Sequence, residues 1–99
     1  LNIDYTQDAL ADIGEIGAYI AEDDTEQARL FVDRLREFIE GIAENPRRFR
    51  LRSEWGRNVR AANFRNYLII FEHDDVNILI LRVASGRRNM IALLSESKE

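Results

Sequence analysis

The stretch YLIIFEHDDVNILILRVA, residues 67–84, decides the fold. Two apolar runs, 67–73 and 76–84, flank Asp74-Asp75, which reads as a tight turn. The runs therefore pair as an antiparallel hairpin. Side chains alternate across a strand. Leu68 and Ile70 point one way, and Tyr67, Ile69 and Phe71 the other. Leu79, Leu81 and Val83 oppose Ile78 and Ile80 in the same manner. Both faces are thus apolar, whereas a sheet wetted on one side alternates apolar and polar residues. Each face needs a cover.

Working outward, VRAANF (59–64) reads as a strand preceding the hairpin, and NIDYT (2–6) as a short first strand. Between them lie two helices. In QDALADIGEIGAYIAED (7–23) the set Ala9, Leu10, Ile13, Ile16, Gly17 and Ile20 follows helical spacing. Thr6 or Asp8 can cap it. Asp24 followed by Gln27 resembles a capping box for a second helix. That helix carries Ala28, Phe31, Leu35, Phe38 and Ile42 on one stripe, with Val32 and Ile39 beside it. Asn45-Pro46 ends it, because a residue before proline avoids helical angles. Two helices joined by so short a connection lie antiparallel. PRRFRLRSEWGRN (46–58) reads as irregular, and MIALL (90–94) as a short strand or a helical turn.

The order implies an α+β fold: an N-terminal strand, then a two-helix hairpin on one face of a small, mainly antiparallel sheet. One hairpin of helices covers one face. The other is buried either by the chain itself, through residues 90–94 and the 46–57 loop, or by a partner helix docked in a groove.

Composition narrows the function classes. Ninety-nine residues, 45% hydrophobic and 32% charged, fit one globular domain spanning 1–99. No cysteine is present, which removes disulfides and thiolate metal sites. The N-terminus has no basic and apolar signal-peptide pattern, and the apolar runs are too short to span a bilayer. Charge is uneven: residues 1–45 hold twelve acids and three bases, residues 46–99 six acids and eleven bases. Such a dipolar chain suits an acidic partner. Thirteen of the fourteen bases are arginine, which binds carboxylates and phosphates but is a poor general base.

Catalytic constellations are thin. His73, the one histidine, stands beside Asp74 and Asp75 at the hairpin turn, a small ligand set better read as a polar turn. Ser53, Ser85, Ser95 and Ser97 lack the context of an activated nucleophile. The helix carboxylates read as solvated faces. Gly86-Arg87-Arg88 is too short for a phosphate loop. The arginines of 46–58 interleave with Phe49, Leu51 and Trp55, a pattern that can stack on bases, but pinning of the loop to the core explains it better in an acidic chain. No metal or cofactor is expected.

Taken in order, YTQDALADIGEIGAYIAEDD, FVDRLREFIEGIAENPRRFR, GRNVRAANFRNYLIIFE and VNILILRVASGRRN resemble the ParE branch of the ParE/RelE toxin superfamily, the toxins of bacterial type II toxin–antitoxin pairs. The resemblance covers nearly the whole chain and rests on the ordered set rather than on one motif. It implies a cytoplasmic bacterial toxin, not itself an enzyme, that poisons DNA gyrase. It also implies a cognate ParD-like antitoxin whose C-terminal helix and strand wrap the toxin in a hetero-oligomer. Neither a membrane nor sequence-specific nucleic-acid binding by the toxin alone is expected. RelE-type relatives instead cleave mRNA on the ribosome. Arg88, and Arg60 less securely, match arginines of that set, but the lysines and the C-terminal tyrosine do not appear, so cleavage is the alternative. On this resemblance the antitoxin contacts are Arg60, Arg65, Arg82, Tyr67, Ile69 and Phe71. The target contacts are Arg87, Arg88, Asn89 and Met90.

Overall fold

A computed structural model describes residues 1–86, 93 and 94. Strand β1 (Asn2–Tyr5) leads into helix α1 (Gln7–Ala21) and helix α2 (Thr25–Ile42). Strands β2 (Arg50–Leu51), β3 (Val59–Phe64), β4 (Tyr67–His73) and β5 (Asn77–Ser85) follow. The fold is α+β, with both helices packed on one five-stranded mixed sheet of order β1-β5-β4-β3-β2. β1 runs parallel to β5 and the other neighbours are antiparallel.

The local signals act as their chemistry dictates. The Thr6 hydroxyl accepts from the Ala9 N–H at 3.0 Å, capping α1. Asp24 accepts from the N–H groups of Glu26 and Gln27, capping α2. A Cβ at Gly17 would lie 3.3 Å from Val32 Cγ2, so the glycine permits close approach of the helices. At the β4–β5 turn, the Asp74 carboxylate accepts from Asn77 N–H at 2.7 Å and from Val76 N–H at 2.8 Å. Those two donors hold its carboxyl below the usual aspartate range.

The 46–58 stretch is more ordered than its sequence suggests. Pro46–Arg48 and Ser53–Trp55 form single 3₁₀ turns, and Arg50–Leu51 pairs with β3 between them. Gly56 joins the second turn to β3 at φ 144°, where a Cβ would sit 3.0 Å from Val59 Cγ2. Gly56→Ala is therefore expected to lower stability by about 1–3 kcal/mol. A shift in the urea midpoint with unchanged m-value would verify this.

The hairpin 67–84 forms as read, but with a bulge. Ile70 faces Arg82 while Phe71 faces Ile80, which leaves Leu81 as the extra residue on β5. The bulge corrects the simple alternation. Val83 joins Ile78 and Ile80 on the helix-covered face, together with Ile69 and Phe71. Ile13, Phe31, Leu35 and Ile39 pack on them from the helices. Leu81 falls on the opposite face with Leu68, Ile70 and Ala84.

Of the two covers left open by the sequence, the chain supplies one. Leu93 and Leu94, both helical, are buried with Val59, Ile70 and Ala84, and Trp55 packs against this patch. Met90 to Ala92 lie outside the described residues.

Candidate functional site

The buried junction between α1 and β5 has the strongest electrostatics. β1 pairs with β5 only as far as Tyr5 and Ile80. Beyond that point the N-cap and body of α1 supply the missing partners. The Thr6 hydroxyl donates to the Leu81 carbonyl at 2.8 Å, and the Asp12 carboxylate accepts from the Val83 N–H at 3.0 Å. Arg82 then closes a two-point pair on Asp12, Nε to Oδ2 at 2.8 Å and Nη2 to Oδ1 at 2.9 Å. Asp12 is 8% exposed and Arg82 is 9% exposed. Arg82 Nη1 also donates to the Leu93 carbonyl at 3.5 Å, a long contact that reaches the C-terminal segment.

Arg60, half-buried on β3, serves the opposite end of the sheet. Its Nη1 donates to the Phe49 carbonyl at 2.8 Å and its Nε to His73 Nε2 at 3.1 Å. His73 therefore accepts through Nε2 and holds its proton on Nδ1, 3.1 Å from the Asp74 carbonyl. Arg65 follows β3 in the tight turn at φ 55°, with its guanidinium 5.3 Å from the ring centres of Phe31 and Phe64. Arg60, Arg65 and Arg82 thus occupy three separate places and form no common patch.

Two of the apolar residues expected at an antitoxin contact are buried in the fold. Ile69 and Phe71 are 0% exposed beneath the helices, and Tyr67 packs edge-on against Phe31. Which face an antitoxin covers is left open by the sequence; the face of Ile69 and Phe71 is the one that the helix hairpin covers. Arg82 is likewise turned inward by Asp12. Arg87, Arg88, Asn89 and Met90, expected at the target, lie outside the described residues.

Asp12 departs from the solvated reading of the helix carboxylates, since it is buried. Its position carried a usable signal: Ala9, Asp12, Ile13 and Ile16 share one buried stripe at helical spacing. Leu10, placed on the stripe by sequence, is instead 49% exposed.

The other sheet face holds a cavity of about 390 Å³, walled by Trp55, Val59, Leu81 and Leu94 and rimmed by Arg57 and Glu72. Beside it runs the arginine-rich segment. Arg52 stacks on Trp55 at 3.7 Å and donates to Glu54, whose carboxyl it holds below the usual range. Arg47 meets Asp75, and Arg48 lies 4.5 Å over Phe49. These contacts join an apolar surface to a basic edge, an arrangement suited to binding a polypeptide. Among the described residues no cluster of three metal-ligating side chains occurs, and no helix is long and apolar enough to cross a membrane.

The comparisons agree with this architecture. The model of the family described as "ParE toxin of type II toxin-antitoxin system, parDE" matches residues 3–90. No curated protein matches the sequence. A solved chain from "Chromosomal ParDE TA system from P. aeruginosa" superimposes with a TM-score of 0.72 at 20% identity, over 86% of this chain and 95% of that one. At that identity the likeness shows the fold. The family match spans both helices and, from Ile3 onward, the strands, and on it the chain belongs to the ParE toxin family of type II toxin–antitoxin systems.

Proposed function

We propose that this chain inhibits DNA gyrase, blocks replication without acting as an enzyme, and is neutralised in the bacterial cytoplasm by a tightly bound ParD-like antitoxin. The observation that carries the reading is the family match over residues 3–90. The charge layout supports a protein partner. Residues 1–45 hold twelve of the eighteen acids, and the segment from Arg47 to Arg60 holds six arginines against one acid, Glu54. An acidic antitoxin segment with apolar anchors suits that edge and the adjoining cavity. Within this reading Arg60, Arg65 and the rim of Tyr67 are candidate antitoxin contacts. Arg87, Arg88, Asn89 and Met90 are candidate target contacts, and residues 1–99 act as one toxin domain.

A gyrase supercoiling assay tests it. The purified chain is expected to inhibit supercoiling and to accumulate cleaved DNA, and the antitoxin is expected to reverse both. A chain that arrests growth yet leaves gyrase unaffected would refute the target. Ribosome-dependent cleavage within translated codons would then be the activity to measure.

A further inference from the structure

The Asp12–Arg82 pair sits where the sheet has no need of charge. A buried ion pair is weak evidence of stabilisation, because apolar residues of similar volume often serve as well. Asp12 has one local duty, accepting the Val83 N–H, and a neutral side-chain oxygen could do the same. Arg82 adds something else. Its fork is aligned by both carboxylate oxygens, and its remaining Nη1 is directed at the carbonyl of Leu93, eleven residues further along the chain. Leu93 and Leu94 are 2% and 6% exposed, and they complete the patch made by Val59, Ile70 and Ala84.

We propose that Asp12 and Arg82 are positioning residues that seat the C-terminal segment, through Leu93 and Leu94, on the second face of the sheet. Asp12 orients the guanidinium, the guanidinium holds the Leu93 carbonyl, and the two leucines close the apolar patch. At the other end Gly86 N–H donates to the Asn66 carbonyl at 3.2 Å. The proposed target contacts, Arg87 to Met90, lie between these two anchored residues in sequence. Their role at the target rests on the gyrase reading; the seat itself does not.

Trp55 provides the test. It is the only tryptophan, it packs on the patch, and it walls the same cavity as Leu94. Asp12→Asn keeps an acceptor for Val83 N–H but removes the charge that aligns Arg82. In the full chain this variant is expected to red-shift Trp55 emission and raise its acrylamide quenching about twofold. Leu94→Ala should do the same, and the double variant should add nothing further. Far-UV circular dichroism should stay unchanged. If Asp12→Asn does not fold, Arg82→Lys, which keeps the charge and loses the fork, takes its place with the same expected readout. Wild-type emission and quenching in a folded Asp12→Asn or Arg82→Lys, alongside a clear change in Leu94→Ala, would overturn the proposal. Failure of the wild-type chain to affect gyrase would refute the proposed target and leave the fluorescence result to decide the seat.

Discussion

Arg82→Met is expected to lower the unfolding free energy by about 3–5 kcal/mol, the cost of stripping one partner from a buried ion pair. Methionine occupies much of the volume of the arginine stem, so packing is largely kept. What is lost is the charge opposite Asp12, together with the donor to the Leu93 carbonyl. The carboxylate, 8% exposed, would retain only the Val83 N–H of its three donors. A lone buried carboxylate is far costlier than a lost contact, because water cannot reach it. The companion variant Asp12→Asn/Arg82→Met removes both charges and leaves an amide oxygen for Val83. It is expected to recover most of the loss, and urea midpoints of the two variants provide the check. A single variant as stable as the parent, or a double variant no better than the single, would show that the buried charge is not the source of the cost. A small domain has a total stability of only about 5–15 kcal/mol, so Arg82→Met should also reduce the amount of folded toxin in cells.

The arginine illustrates what sequence patterning can and cannot reveal. Strands β3 to β5 and both helices follow from periodicity and caps, since Asp24, Thr6 and Asn45-Pro46 act locally through their own hydrogen bonds or steric limits. The hairpin turn at Asp74 is equally local. Face assignment is not, because it depends on register over the whole strand. One extra residue at Leu81 moves Val83 to the helix side, and nothing in ILILRVA announces that bulge. Which face the helices choose is likewise a tertiary outcome when both faces are apolar. That is why alternation alone leaves open which face carries Ile69 and Phe71 into the core beneath the helices. Strand β2 is not legible in sequence for a different reason: two exposed residues carry no periodicity, and only pairing with β3 defines them. Asp12 and Arg82 lie seventy residues apart in sequence, so each read alone as a surface charge.

Phe71→Ala carries the other large expected effect, and it separates a core role from a contact role. Phe71 is fully buried between the sheet and the helix layer, edge-on to Phe49 at 6.0 Å. Phe49 in turn packs against Phe38, and its carbonyl receives Arg60. Truncation would leave a cavity beneath α2 and loosen the ring that orders the 46–58 segment. The expected loss is about 3–5 kcal/mol, the usual range for a phenylalanine removed from a core. Leu68→Ala, on the same strand but half-buried on the opposite face, is expected to cost markedly less. Antitoxin titration of the two variants, corrected for the folded fraction measured in parallel, distinguishes the roles. A core residue lowers the folded fraction and leaves the affinity of folded molecules unchanged. A contact residue weakens affinity while the denaturation midpoint stays near that of the parent. For Phe71 the buried position requires the first pattern. The second pattern would mean that antitoxin binding opens the helix layer from the sheet, which would demand a rearrangement costly enough to slow association well below the usual 10⁵–10⁷ M⁻¹s⁻¹ range.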